Sequence, residues 1–427
     1  MEEKYSGILR ISAFITSNGR PAQGVRVTVT DDSGSIAAEG ITDREGIVRP
    51  FALAAPSPEE SLTPPPLTQD KTDNNEMSGS GTSDAAVFSG MPYGVYQLSA
   101  VSPDGQTITV SDIQIYSGVT SLQSLIFPGQ SDDINIPSPV IMGGFPEKIP
   151  ESDTKKLPLP EGTVVLPRPV VPGLIVVHAG VPTDTSAADY TVSFKDYIKN
   201  VASSEIYATW PREALKANIL AICSFTLNRV YTEWYRGKGY GFTITNSTAY
   251  DQAFVYGRNI FSEISDVVDE VFNLYITREG LMQPLLTQYC DGIRVRRSGW
   301  LSQWGSKELA DQGYNAMQIL RYYYGRNIML REAEKVEGIP QSFPGFLSQG
   351  SRGEGVRTVQ RQLNVISNNF PLIPKLAVDG IYGPKTAASV RTFQQIFNLP
   401  VTGTVGFSTW YSISDIYVAV TKLAELN

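Results

Sequence analysis

The chain has 427 residues, and at about 150 residues per domain this predicts two to four domains and excludes a single small fold. Hydrophobic residues make up 41% and charged residues 18%, enough apolar material for real cores and against wholesale disorder. The net charge of -8, from 35 basic and 43 acidic residues, argues against a protein that coats nucleic acid, whose phosphates need an excess of Lys and Arg.

Two cysteines, Cys223 and Cys290, cannot form a disulfide framework, although one bond stays open, and the single histidine, His178, cannot build a His-rich zinc site. The N-terminal MEEKYSGILRISAF has no basic segment followed by a long apolar run, and no uninterrupted apolar stretch reaches about 18 residues. The expectation is a chain without a classical signal peptide and without a membrane span.

Residues 5–53 alternate apolar and polar side chains between turn sequences such as NGRPAQG, DDSGS and DREG, the period of short antiparallel strands in a β-sandwich. Residues 54–90 are dominated by Pro, Ser, Gly and acidic residues and read as a disordered insertion in a loop. Alternation resumes in YGVYQLSAVS, QTITVSDIQIY and SLQSLIF, closing an all-β unit at residues 1–127. Residues 128–173 are rich in proline, as in KLPLPEGTVVLPRPVVPG, and read as an extended connector open to proteases.

The texture over residues 174–344 is α+β. One helix is announced by Thr209, Trp210, Pro211 and Glu213, with Pro at a first helical position, and continues through Leu215, Ile219, Ile222, Cys223, Thr226 and Val230. A second is expected over Ile260–Ile276, with Ile264, Val267, Val268, Val271, Phe272 and Tyr275 as its stripe. Residues 345–427 hold a repeat: VRTVQRQLN from Val356 and VRTFQQIFN from Val390 agree at five of nine positions. Two such amphipathic helices, joined by VDGIYGPKT, read as a small helical binding module.

The densest chemistry lies in Val192–Arg229. Glu205 stands between two helices beside Tyr207 and Trp210, and a carboxyl lifted from water there would have the raised pKa a general acid needs. On composition alone it could equally be a solvated loop carboxylate.

The run YIKNVASSEIYATWPREALKANILAICSF resembles the signature of the stage II sporulation protein D family, peptidoglycan lytic transglycosylases, and SGWLSQWGSKELADQGYNAMQILRYYYG resembles that family's second block. Residues 351–412 resemble a type 1 peptidoglycan-binding domain. The whole arrangement is similar to clostridial spore cortex-lytic enzymes of the SleC type. The resemblance implies that Glu205 is the catalytic acid/base, and that Ser302, Gln303, Trp304, Asp251 and Gln252 line the glycan groove. Trp304 could also be core, and Asp251 a helix cap. Arg296 and Arg297 stand where some members carry zinc ligands, so no metal and no cofactor is expected.

The resemblance further implies a zymogen: an all-β prodomain, cut in the connector near Val164 and Val165 by a subtilisin-like germination protease of the Csp type. Its substrate would be spore cortex peptidoglycan, cleaved between MurNAc and GlcNAc to 1,6-anhydro-muropeptides, and its place the outer layers of the spore after synthesis in the mother cell. Residues 1–164 carry 10 basic and 21 acidic side chains, a balance of -11, whereas residues 165–344 balance at zero and residues 345–427 carry +3. Removing the acidic leader would leave a body whose charge suits anionic peptidoglycan. Two rival readings are a cysteine peptidase or amidase pairing Cys290 or Cys223 with His178, and a non-catalytic wall-binding protein.

Overall fold

The computed structural model describes residues 5–15, 20–62, 92–127, 134–136, 166, 168–335 and 346–406, with parts of 409–420. Among them the chain is multidomain, with a strand-rich N-terminal region, small mixed sheets around helices in the centre, and a helical C-terminal region.

The alternation of the N-terminal region is used directly. Along Ser6–Ile15 the side chains of Leu9, Ile11 and Ala13 turn inward while Arg10 and Ser12 lie between them, and each fully buried aliphatic side chain is worth about 1.5–3 kcal/mol. One sheet runs Ile36–Ile41, Arg26–Thr30, Gly94–Val101, Thr107–Ile115, Ile134–Ile136; the other is built on Ser6–Ile15. Both contribute to one apolar core that includes Val27, Leu98, Ile108, Leu125 and Phe127. The pairing departs from the expected all-antiparallel pattern. Ser6–Ile15 lies parallel to Thr120–Phe127, and Thr107–Ile115 parallel to Ile134–Ile136. Parallel pairing of the first and last long strands makes the whole intervening chain one crossover, which local alternation does not encode.

Of the expected insertion, Ala54 closes a strand and Pro58–Ser61 form a 3₁₀ turn capped by Ser57. Residues 63–91 lie outside the described residues, as do 128–133, 137–165 and 167. Val164 and Val165 are among these. The end of the connector is structured: Val170–Val171 pairs in parallel with Glu334–Lys335.

In the centre, α1 (Phe194–Glu205) starts at Ser193, whose hydroxyl accepts the Asp196 N–H at 3.1 Å. Helix α2 (Arg212–Tyr231) begins one residue after Pro211, which occupies the N-cap rather than the first turn. From Ala214 to Val230 it is buried on nearly every side, and its polar residues there each find a partner. Asn218 meets Ser306, Ser224 the Ile276 carbonyl, Thr226 Gln252, Asn228 the Pro284 carbonyl and Arg229 Asp251. The expected helix over Ile260–Ile276 is shorter. Ile260–Phe261 is a strand, α3 spans Ser262–Val271, and Leu274–Arg278 pairs antiparallel with Ile328–Glu332. Paired apolar residues at 271–272 and 275–276 fit a helix or a strand, and strand pairing decides it. Helices α4 (Gln303–Asp311) and α5 (Ala316–Tyr324) complete the centre, α5 opening with a capping box of Asn315 and Gln318.

The repeat forms α6 (Glu354–Ile366) and α7 (Pro384–Ile396), and a glutamine of each holds a glycine turn further along the chain. Gln360 accepts the Gly380 N–H at 2.9 Å and donates to Asp379 and the Ile381 carbonyl. Gln394 accepts the Gly403 N–H at 2.8 Å and donates to the Thr404 carbonyl. Gly380 and Gly403 have φ of 75° and 70°, so both turns require glycine.

The N-terminal region touches both others. Ile260–Phe261 extends its sheet by pairing antiparallel with Ser121–Leu122. Phe14 meets Phe370 edge to face at 6.4 Å, and Arg10 donates to the Asn398 side chain at 3.1 Å. No helix among the described residues is long and apolar enough to cross a membrane.

Candidate active site

Glu205 is the last residue of α1, 5% exposed, where the chain turns into the extended Ile206. Its Oε1 accepts the Ala253 N–H at 2.8 Å. The Tyr289 hydroxyl also meets the carboxyl, and Gln252 donates to that hydroxyl at 3.1 Å. The Gln252 carbonyl in turn accepts from Tyr197 at 3.0 Å and from Thr226 at 2.7 Å. Burial, and then the negative charge of Glu205, push the Tyr289 phenol well above its usual range, so it acts as a neutral donor. The result is a carboxyl fixed by one backbone and one phenolic donor, with an ordered amide behind it.

The turn that follows Glu205 carries aromatic side chains. Trp304 lies 4.9 Å from Trp210 and 5.7 Å from Tyr207, ring centre to ring centre, and is 3% exposed. Its indole is part of the core and braces the turn that follows Glu205. Ser302 caps α4, its hydroxyl accepting the Gly305 N–H at 2.9 Å. A Cβ on Gly292 (φ +81°) would stand 1.8 Å from that hydroxyl, so only glycine fits there. Gln303, 6% exposed, is in the first turn of α4.

The two residues after NSTAY are interior. Asp251, 1% exposed, pairs with Arg229 Nε at 2.8 Å and accepts from the Tyr235 hydroxyl at 2.6 Å and from the Thr245 N–H and hydroxyl. It pins the loop over residues 245–251 to α2 and caps no helix. Gln252 is fully buried and serves Tyr289 rather than the groove surface. The structure thus gathers Glu205, Gln252 and Trp304 around one turn, with Asp251 in the layer behind. The residue that sequence reasoning missed is Tyr289. It precedes Cys290 in a segment that drew attention only for its thiol.

Neither thiol reaches the imidazole of the rival dyad, since the buried His178 Nε2 has no hydrogen-bond partner among the described residues. Cys223 is fully buried, and burial pushes its thiol up, away from the thiolate a nucleophile needs. His178 gives its Nδ1 to Asp189 at 2.7 Å and stacks on Phe242 at 4.5 Å. No group of three or more His, Cys, Asp or Glu residues that could hold a metal ion occurs among the described residues. A cavity of about 60 Å³ lies beside Trp234 and Arg229, and Glu205 is not among its lining residues.

Residues 184–274 match the family model described as Stage II sporulation protein, and residues 352–413 match that of a putative peptidoglycan binding domain. The chain is also similar to the zinc D-Ala-D-Ala carboxypeptidase of Streptomyces albus G, 38% identical over 73 residues, 17% of this chain and 27% of that protein. The chain therefore spans only about a quarter of that relative. The crystal structure of an (S)-allantoin synthase aligns at 14% identity over 29% of this chain and 41% of the other, with a TM-score of 0.17, too low to bear on the fold. One match spans Glu205 and the other the paired helices, so the chain carries a segment similar to the Stage II sporulation protein model together with one similar to a putative peptidoglycan binding domain.

Proposed function

We propose that the protein is a lytic transglycosylase of spore cortex peptidoglycan, made as a zymogen and activated by proteolysis at germination. The observation that carries this reading is the buried carboxyl of Glu205, held by the Ala253 N–H and the Tyr289 hydroxyl inside the segment that matches the sporulation family, where the buried carboxylates of Asp251 and Asp269 are instead ion-paired with Arg229 and with Lys195 and Lys199. Hydrolytic glycosidases need two carboxyl groups, one to handle water. A lytic transglycosylase needs one. Glu205 protonates the glycosidic oxygen as the bond to C1 of MurNAc breaks; the sugar's own 6-hydroxyl then attacks C1 and returns its proton to Glu205. No water is consumed, and the product is a 1,6-anhydro sugar.

Glu205→Gln should abolish release of anhydro-muropeptides from decoated cortex, read by mass spectrometry; retention of most activity would sink the assignment. A Cys290→Ser variant should keep full activity, whereas its loss would revive the cysteine peptidase.

The zymogen part rests on the acidic leader, the proline-rich connector and the contacts that the N-terminal region makes with both other regions. A germination protease cutting near Val164 and Val165 would separate them, and N-terminal sequencing of the form in germinated spores tests it. Synthesis in the mother cell would deliver the protein to the cortex without ordinary export.

A further inference from the structure

The segment Gly257–Phe261 is clasped along its length by the N-terminal region. Gln123 donates to the Gly257 carbonyl at 2.9 Å, Asn259 donates to the Gln114 carbonyl at 3.3 Å, and Ile260 and Phe261 pair with Leu122 and Ser121. In the middle of this clasp is Arg258, 4% exposed. Its guanidinium has three acceptors, all neutral: the Asn259 carbonyl at 2.9 Å, the Ser204 hydroxyl at 3.1 Å and the Gln114 side-chain oxygen at 3.1 Å. It lies over the Phe261 ring at 5.6 Å and pairs with no carboxylate among the described residues.

A buried cation without a counter-ion is costly, and proteins retain one mainly where a ligand or partner supplies the charge. Burial holds this guanidinium down, to about 10, with the Tyr116 and Tyr93 phenols pulling the other way. Two of its three partners belong to the central region and stay when the N-terminal region leaves. The third, the Gln114 amide oxygen, leaves with it. Ser204 immediately precedes Glu205 in α1, so the vacated donor stays anchored to the helix that carries the catalytic carboxyl. Beside it Tyr207, which the leader covers with Tyr116 at 6.0 Å, becomes available as an aromatic wall.

The geometry points to Arg258 as a carboxylate-binding subsite for the glycan, its free Nη2 taking a muramic-acid lactyl or stem-peptide carboxylate where Gln114 now stands. A carboxylate favours this position because a hydrogen bond from a guanidinium N–H to an anion is charge-assisted, about twice as strong as one to a neutral amide oxygen. In the uncut chain Gln114 is a neutral placeholder: it satisfies the donor without the charge that would lock the regions together. The proposal rests on the reading of Glu205 as the glycan-cleaving residue, but its test reads displacement and not turnover.

The full-length chain, with Glu205→Gln and a specific protease site at residues 164–165, is cut and both pieces are kept in solution. Release of a fluorescently labelled N-terminal piece is followed while three probes are added: chitotetraose, a GlcNAc-MurNAc tetrasaccharide with free lactyl carboxylates, and the same glycan carrying stem peptides. A carboxylate-bearing glycan should release the piece at concentrations at least tenfold below chitotetraose. Preference for the free lactyl or for the peptide-bearing probe identifies which carboxylate is bound. Arg258→Gln should erase the preference. Equal potency of all three probes, no release by any, or a preference that survives Arg258→Gln would overturn the subsite. Should Arg258→Gln fail to fold, Gln114→Glu keeps the question open to an answer: it supplies the missing charge and should slow release at least tenfold, and unchanged or faster release would also overturn the proposal.

Discussion

Gln252 donates its side-chain N–H to the Tyr289 hydroxyl at 3.1 Å, and that hydroxyl meets the carboxyl of Glu205. The amide therefore fixes which way the phenol points: with its oxygen accepting from Gln252, its proton is directed to Glu205. Tyr289→Phe removes this donor and leaves the ring. A hydrogen bond to a charged group is worth about 1.5–3 kcal/mol, so kcat for anhydro-muropeptide release should fall about 10- to 100-fold with KM within about twofold. An unchanged kcat would show that the phenol is only packing.

Asp266 is pushed from 3.8 up to about 6, by burial first and then by the neighbouring charge of Asp269, with Lys199 and Arg212 pulling it back. Because the folded value lies above the unfolded one, the folded chain holds the extra proton and stability falls as pH rises between about 4 and 6. Above pH 6 the carboxylate is a net cost. Asp266→Asn should raise stability at pH 7 by about 2–3 kcal/mol, with the gain fading towards pH 4, as measured by denaturant unfolding at the two pH values.

Glu45, 1% exposed, sits where the N-terminal region meets the C-terminal one. Burial pushes its carboxyl above the usual 4.5, while the Leu372 backbone N–H and Arg44 pull it down. The folded chain thus holds this proton more tightly than the unfolded one, and this part of its stability is full below about pH 4.5 and weakens as pH rises through the raised value. Glu45→Gln should raise stability at pH 7 relative to pH 4.5 and flatten the dependence, as measured by denaturant unfolding at the two pH values.

Gln394 holds the Gly403 turn through one accepted and several donated hydrogen bonds, whereas its neighbour Gln395 is exposed. Gln394→Ala should destabilise the C-terminal region by about 2–3 kcal/mol and weaken sedimentation with cortex; Gln395→Ala should change stability by less than about 0.5 kcal/mol.

What the sequence made legible is what repeats or alternates locally. The strands of the N-terminal region, the body of α2 and the paired C-terminal helices follow from periods of two or 3.6. Glu205 stood out because small and aromatic residues and a Trp-Pro helix start surround it. Partners far along the chain were not legible. Asp251 looked like a groove or capping residue because nothing near it reveals Arg229, 22 residues away, or Tyr235. Gln252 looked available to a sugar because Tyr289 and Tyr197 reach it from other elements. The repeat announced two helices but not that each carries a glutamine that clamps the next glycine turn.

The strand Ile260–Phe261 finishes a sheet that belongs to the part of the chain expected to leave. After departure its backbone N–H and C=O groups lose the Ser121–Leu122 ladder, and Phe261, now fully buried, loses the Tyr116 ring 5.1 Å away. An active form made this way inherits an open β-edge and bare aromatic surface, two residues downstream of Arg258. Such a form is adhesive by construction: useful once it lies against the wall, hazardous before. On the proposed zymogen reading, the leader would be as much a solubility cap for storage as a brake on catalysis.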